Sequence, residues 1–177
     1  IFHAIGKRIK GMGLSTLVGD EGGYSPLLGS NEEAFQLIVD AAKDLGYVNG
    51  QDFELATDVA ASEFYENGKY VLKKDNREVT TQELLAYYLE LQKKFKIASF
   101  EDPFFEDDFQ GFADLRAQIS PERAYQVVGD DLTVTNVKRI QSAIEKKATN
   151  ALLVKVNQIG TVYETVQAIK MARADGW

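Results

Sequence analysis

Hydrophobic and polar positions along this chain follow two alternating periods. Ala34, Leu37, Ile38, Ala41, Ala42 and Leu45 recur at helical spacing, and Gly46 ends the run. Leu84, Leu85, Tyr88, Leu91 and Phe95 form a second stripe of the same kind. Ile1, Phe2, Ile5 and Ile9 form another, so the sequence opens inside a helix and reads as a segment of something longer. Val137, Ile140 and Ile144 mark a further helix, and Val162, Val166, Ile169 and Ala172 mark one over about 160–175. Phe109, Phe112, Leu115 and Ile119 predict a shorter helix before these two. Start signals agree: Ser30-Asn31-Glu32-Glu33 and Thr80-Thr81-Gln82-Glu83 are capping boxes, in which the hydroxyl and the Glu satisfy amides the first turn leaves open. Asn136 is an N-cap candidate ahead of Val137.

Short apolar runs separate the helices: Phe53 to Thr57, Ile97 to Phe100, Tyr125 to Gly129, and Ala151 to Val154. Their length and near-continuous hydrophobicity predict parallel strands covered on both faces. One hairpin interrupts the pattern, because Asn67-Gly68 supplies the positive φ angles of a type I′ turn between Phe64-Tyr65-Glu66 and Lys69-Tyr70-Val71-Leu72. Strand-helix alternation on this scale predicts an α/β fold with a parallel sheet.

Composition narrows the function classes. The 177 residues carry a net charge of −7, which argues against a nucleic-acid binder or an anionic-membrane binder. Without cysteine there is no disulfide framework, thiolate zinc site or thiol nucleophile, and a single His excludes a site built from several imidazoles. No apolar run is long enough for a membrane span, and the first residues carry no signal-peptide pattern, so a soluble, cytoplasmic protein is expected.

Against this background, what ends each strand is informative. The runs are followed or closed by Asp58, Glu101, Asp130 and Lys155, separated by 43, 29 and 25 residues, about one strand-plus-helix unit each. In a β/α barrel the carboxyl ends of the strands converge on one mouth, where the chemistry sits. Three carboxylates without His or Cys suit a hard cation with oxygen ligands, Mg²⁺ before Zn²⁺. A dication beside Lys155 would favour its neutral amine, the form that acts as a base. Metal-assisted proton abstraction next to a carboxylate is the reaction class this suggests. The plainer reading is that each acid caps a following helix or binds loop amides. Asp102 and Asp131, one residue past two of the candidates, point the other way and are read as structural. Gly19-Asp20-Glu21-Gly22-Gly23 is either a turn-rich loop or a tight backbone presenting a carboxylate. His3 is read as a structural or surface residue, and Glu106-Asp107-Asp108 as a helix start where acids meet the positive helix end.

These motifs resemble enolase. The resemblance rests on Gly19-Asp20-Glu21-Gly22-Gly23, Asp58-Val59-Ala60-Ala61-Ser62-Glu63-Phe64-Tyr65, Phe100-Glu101-Asp102-Pro103, Gly129 to Asn136, and Lys155-Val156-Asn157-Gln158-Ile159-Gly160, in the family's order across nearly the whole chain. It implies a partial enolase-type β/α (TIM-like) barrel with about five of its eight strands, and reversible Mg²⁺-dependent dehydration of 2-phosphoglycerate to phosphoenolpyruvate in glycolysis. By position, Asp58, Glu101 and Asp130 resemble the Mg²⁺ ligands, and Glu101 and Asp130 also line the substrate site. Lys155 resembles the proton acceptor and Glu21 the proton donor. Enolase-superfamily sites are the standard instance of a Lys or His base working beside Mg²⁺, so that pairing comes from the family and not from spacing.

Residues 1–177 are accordingly expected to be part of the C-terminal barrel domain. The family's N-terminal domain, its Ser-His-Ala-Gly-Gly and Ser-His-Arg-Ser stretches, and its second active-site lysine are not in this sequence, and His3 does not match the active-site His. Thr57 stands where the family often has an apolar residue, and Ser120-Pro121-Glu122-Arg123 reads as a small loop variation. The fragment alone is expected to be inactive, and the full-length protein to be a homodimer or higher homo-oligomer. Two alternatives stand beside this reading. One is a related superfamily enzyme acting on another carboxylate; the other is a non-catalytic binding or surface-displayed protein.

Overall fold

The computed structural model describes residues 1–74, 76–119 and 125–177, so the Ser120 to Arg123 variation lies outside the described residues. The chain divides into two compact units, one of Ile1–Leu55 with Lys94–Lys96, the other of Ala56–Lys93 with Ile97–Trp177.

In the first unit, α1 (Phe2–Gly11) and α2 (Asn31–Lys43) form where periodicity places them. The Ser30 hydroxyl accepts the Glu33 amide at 3.3 Å, while the Glu33 carboxylate accepts the Gly29 amide at 2.8 Å, one residue further out than a strict capping box. Ile9, Leu37, Ala41 and Ala42 are buried. Leu45 is 51% exposed because α2 ends at Lys43 and the predicted stripe overruns it. Arg8 grips Asp44 through one edge of its guanidinium, donating from Nε to Oδ2 at 2.7 Å and from Nη2 to Oδ1 at 2.8 Å. His3 is exposed.

The second unit holds the sheet. Its strands are β1 (Leu55–Asp58), β2 (Tyr65–Glu66), β3 (Lys69–Leu72), β4 (Arg77–Val79), β5 (Ile97–Glu101), β6 (Gln126–Gly129) and β7 (Ala151–Leu152). Strands β1, β5, β6 and β7 form one sheet in that order, with β5–β6 and β6–β7 parallel in the registers Phe100↔Val127 and Val128↔Ala151. The separate β2-β3-β4 sheet is antiparallel, and the Asn67-Gly68 turn has φ of 52° and 83° as the hairpin requires. Its third strand was not signalled, because Arg77-Glu78-Val79 is too short and polar to show a period.

Helices α3 (Thr81–Phe95), α4 (Phe109–Gln118), α5 (Val137–Glu145), α6 (Val156–Ile159) and α7 (Val162–Ala174) complete the chain. All five apolar residues predicted for α3 are buried, and Thr80 and Glu83 form the full reciprocal box. Asn136 caps α5 and Asp108 caps α4, as the acidic run before Phe109 suggested. Helix α7 departs from expectation in part: of the predicted stripe Ala172 is buried and Ile169 half-buried, but Val162 is 70% exposed, and Thr165 and Ala168 are buried beside Ala172. Among the described residues no helix is long and apolar enough to cross a membrane.

An aromatic cluster supports the carboxyl end of β5. Phe104 is fully buried, with ring centroids 5.6 Å from Tyr88, 5.9 Å from Phe112 and 6.2 Å from Tyr70. Gly111 on α4 leaves space for this ring: a Cβ there would lie 2.8 Å from Asp108 Oδ2, 2.9 Å from Thr81 Cγ2 and 3.0 Å from Phe104 Cγ. Gly111→Ala should therefore destabilise by about 1–3 kcal/mol, despite the roughly 1 kcal/mol an Ala gains in a helix. Equilibrium denaturation checks this, and a stabilised variant would show that the cluster yields easily.

Candidate active site

Four of the candidate residues stand at successive carboxyl ends of the parallel sheet. Asp58 is the last residue of β1 and Glu101 the last of β5; Asp130 follows Gly129 directly. Lys155 lies three residues beyond the two-residue β7, at the position just before α6, so the fourth strand is shorter than its apolar run suggested.

Local chemistry fixes each position. Asp58 Oδ1 accepts the Ala60 amide at 3.0 Å, and Ala60 takes a left-handed φ of 46°. The Asp130 carbonyl accepts the amides of Thr133 at 3.1 Å and Val134 at 2.7 Å, closing a tight turn after β6. That turn leads into Thr135, fully buried with φ of 54°. The Thr135 hydroxyl accepts the Lys155 amide at 2.9 Å and donates to Gln158 Oε1 at 3.4 Å. Gln158 Nε2 in turn donates to Asp130 Oδ1 at 2.7 Å, and the Lys155 ammonium pairs with Asp130 Oδ2. Thr135 and Gln158 therefore join the ends of β6 and β7; both lie in the motifs that resemble the family, but neither had a role readable from the sequence, since an uncharged hydroxyl and amide show no pattern by themselves.

The electrostatics are those of crowded negative charge. Burial, followed by the charges of Asp58, Asp102 and Asp130, pushes Glu101 up to about 7, with Lys155 pulling the other way. Lys155 is raised above its ordinary value, chiefly by its hydrogen bond to Asp130, so it stands as an ammonium. Its side chain is 45% exposed, against 8% for Asp130.

Carboxylate oxygens gather within 4.8 Å of one another in two triplets, Asp58-Glu101-Asp102 and Asp102-Asp130-Asp131. The predicted set of Asp58, Glu101 and Asp130 is thus shared between neighbouring triplets joined through Asp102. Asp102 itself is committed elsewhere: Oδ2 accepts the Asp131 amide at 2.8 Å, and Oδ1 accepts those of Asp130 at 3.2 Å and Leu132 at 3.5 Å. Asp130 differs from Asp102 in its partners, since its carboxylate meets the side chains of Lys155 and Gln158 and not backbone amides.

Glu21 belongs to the first unit. It is exposed on a tight turn, closed by Gly22 N–H to Gly19 O at 2.9 Å and Gly19 N–H to Gly23 O at 2.8 Å, with Gly22 at φ 82°. An open cavity of about 660 Å³ between α5 and α7, lined by Val137, Ile144 and Met171, involves none of the candidate residues.

Over residues 1–177 the sequence matches the family described as "Enolase, C-terminal TIM barrel domain". The chain belongs to the enolase family. It is also 44% identical over 177 residues to "Enolase 2" of Methanospirillum hungatei JF-1, covering 100% of this chain and 41% of that protein's length. The sheet β1-β5-β6-β7 is accordingly part of an enolase-type barrel, and its carboxyl ends are the face on which such barrels carry their chemistry.

Proposed function

We propose that residues 1–177 are part of the C-terminal barrel domain of a longer, cytoplasmic enzyme that dehydrates 2-phosphoglycerate reversibly to phosphoenolpyruvate with Mg²⁺, as a homodimer or larger homo-oligomer. The observation that carries this is the meeting of Asp58, Glu101, Asp130 and Lys155 at successive strand ends of an enolase-family chain.

Asp58, Glu101 and Asp130 would hold the cation. Their donor set fits it: hard carboxylate oxygens, one of them held up to about 7 by burial first and then by neighbouring negative charge. Bound there, Mg²⁺ supplies concentrated positive charge beside the carboxylate of the substrate, where negative charge grows as the C2 proton leaves. Lys155 takes that proton. It must first give up its own, and release from Asp130 lowers its affinity for it, since that hydrogen bond is the largest cause raising it. Glu21 donates a proton to the C3 hydroxyl, which departs as water while the C2–C3 double bond forms. Asp130 and Glu101 also border the substrate.

The test is absorbance of phosphoenolpyruvate formed from 2-phosphoglycerate by the full-length protein, with Mg²⁺ and after chelation. Formation that requires Mg²⁺ and returns on its re-addition is expected. A folded, Mg²⁺-binding protein that forms none would instead be a superfamily enzyme for another carboxylate, and one that binds no Mg²⁺ a non-catalytic binding protein.

A further inference from the structure

Asp102 touches the ends of three strands at once. Its amide donates to the Val128 carbonyl of β6 at 3.1 Å, and its own carbonyl accepts the Ala61 amide, in the segment after β1, at 3.1 Å. Its carboxylate accepts the amides of Asp130, Asp131 and Leu132 at 3.2, 2.8 and 3.5 Å. The residue is 2% exposed and takes φ of 40°, a left-handed backbone that turns the chain sharply after Glu101. Val59 N–H donates to the Glu101 carbonyl at 2.9 Å, so the segment after β1 is held on both Glu101 and Asp102.

We propose that Asp102 is a positioning residue, whose backbone and carboxylate lock together the ends of β1, β5 and β6 and so set the spacing of Asp58, Glu101 and Asp130. The inference rests on reading those three as metal ligands. The physical argument is one of preorganisation. Three carboxylates repel one another, and without an opposing constraint their loops would spread. A buried carboxylate accepting three amides provides that constraint, because each amide it releases would be left unsatisfied in a buried turn. Hydrogen-bonded groups behind metal ligands commonly govern affinity in this way.

Asp102→Asn tests the proposal in the full-length protein. Asn tolerates the left-handed backbone and keeps the volume, but it loses the charge and replaces one acceptor oxygen with a donor facing an amide. Two readouts are needed: hydrogen–deuterium exchange over 127–135 in metal-free protein, and Mg²⁺ affinity by calorimetry. The expected result is faster exchange and a Kd for Mg²⁺ raised about 10–100-fold. A packing control, Ile140→Val on α5, should lower the unfolding midpoint without changing the Mg²⁺ affinity.

Unchanged exchange with weakened Mg²⁺ binding would make Asp102 a ligand itself and overturn the positioning role. Faster exchange with unchanged affinity would make it merely structural and also overturn it, as would no change in either. Wild-type protein that fails to bind Mg²⁺ would sink the metal reading, and that failure shows before any variant is made.

Discussion

Lys155→Ala in the full-length protein is expected to lower phosphoenolpyruvate formation by about 10²–10⁴-fold, the span over which a positioned general base typically acts. That corresponds to roughly 3–5 kcal/mol of transition-state stabilisation. Loss of folding would not account for it. Only the lysine side of the Lys155–Asp130 pair is exposed, at 45%, and when it is truncated the buried Asp130 carboxylate keeps its hydrogen bond from Gln158 Nε2 at 2.7 Å. Circular dichroism and the unfolding midpoint should therefore stay close to wild type. Lys155→Arg separates the base from the charge: a guanidinium keeps the positive charge beside Asp130 but does not deprotonate in this range, so it should be nearly as inactive as the Ala variant. Turnover within tenfold of wild type in either variant would remove Lys155 from the role of base.

The largest stability effect is expected at Phe104. Phe104→Ala removes a fully buried ring from the cluster with Tyr70, Tyr88 and Phe112. Truncation of a buried Phe costs about 3–5 kcal/mol, which is a large share of the roughly 5–15 kcal/mol that holds a domain folded. The consequence reaches the site, because Phe104 follows Glu101-Asp102-Pro103, and the Tyr88 hydroxyl donates to the Pro103 carbonyl at 2.8 Å. Loosening this cluster should weaken Mg²⁺ binding as well as folding. Phe104→Leu, which fills most of the space, should recover much of both. Denaturant titration of the full-length protein decides it; a cost below about 1 kcal/mol would mean that neighbouring side chains collapse into the gap.

Local signals in the sequence translated directly into structure. Thr80 and Glu83 satisfy each other's amides within one turn, and Asn67-Gly68 takes the positive φ its hairpin needs, because both depend only on residues a few positions apart. The α3 stripe was equally legible, since all five residues face inward. On α7 the same kind of pattern was right only in part: apolar periodicity marks the helix and Ala172 is covered as predicted, but which side is buried depends on what packs there, and Thr165 and Ala168 are covered in place of Val162 and Val166. Strand β7 is shorter than its apolar run for a related reason, because pairing with β6 extends only over Ala151 and Leu152.

For the site, the sequence by itself determined the chemical inventory: a carboxylate or lysine at each strand end, in an order that resembles enolase, and a Gly-rich turn around Glu21. Only the tertiary structure decided how that inventory is held. Asp102 reaches amides 28 to 30 residues away, and Gln158 reaches Asp130 from the far side of the next strand. The sequence already set Asp102 apart from Glu101 as structural, but only hydrogen bonds across strands show which backbone amides hold it. Such bonds join residues that spacing along the chain does not relate, which is why the sequence could mark Asp102 as structural and could not name its partners.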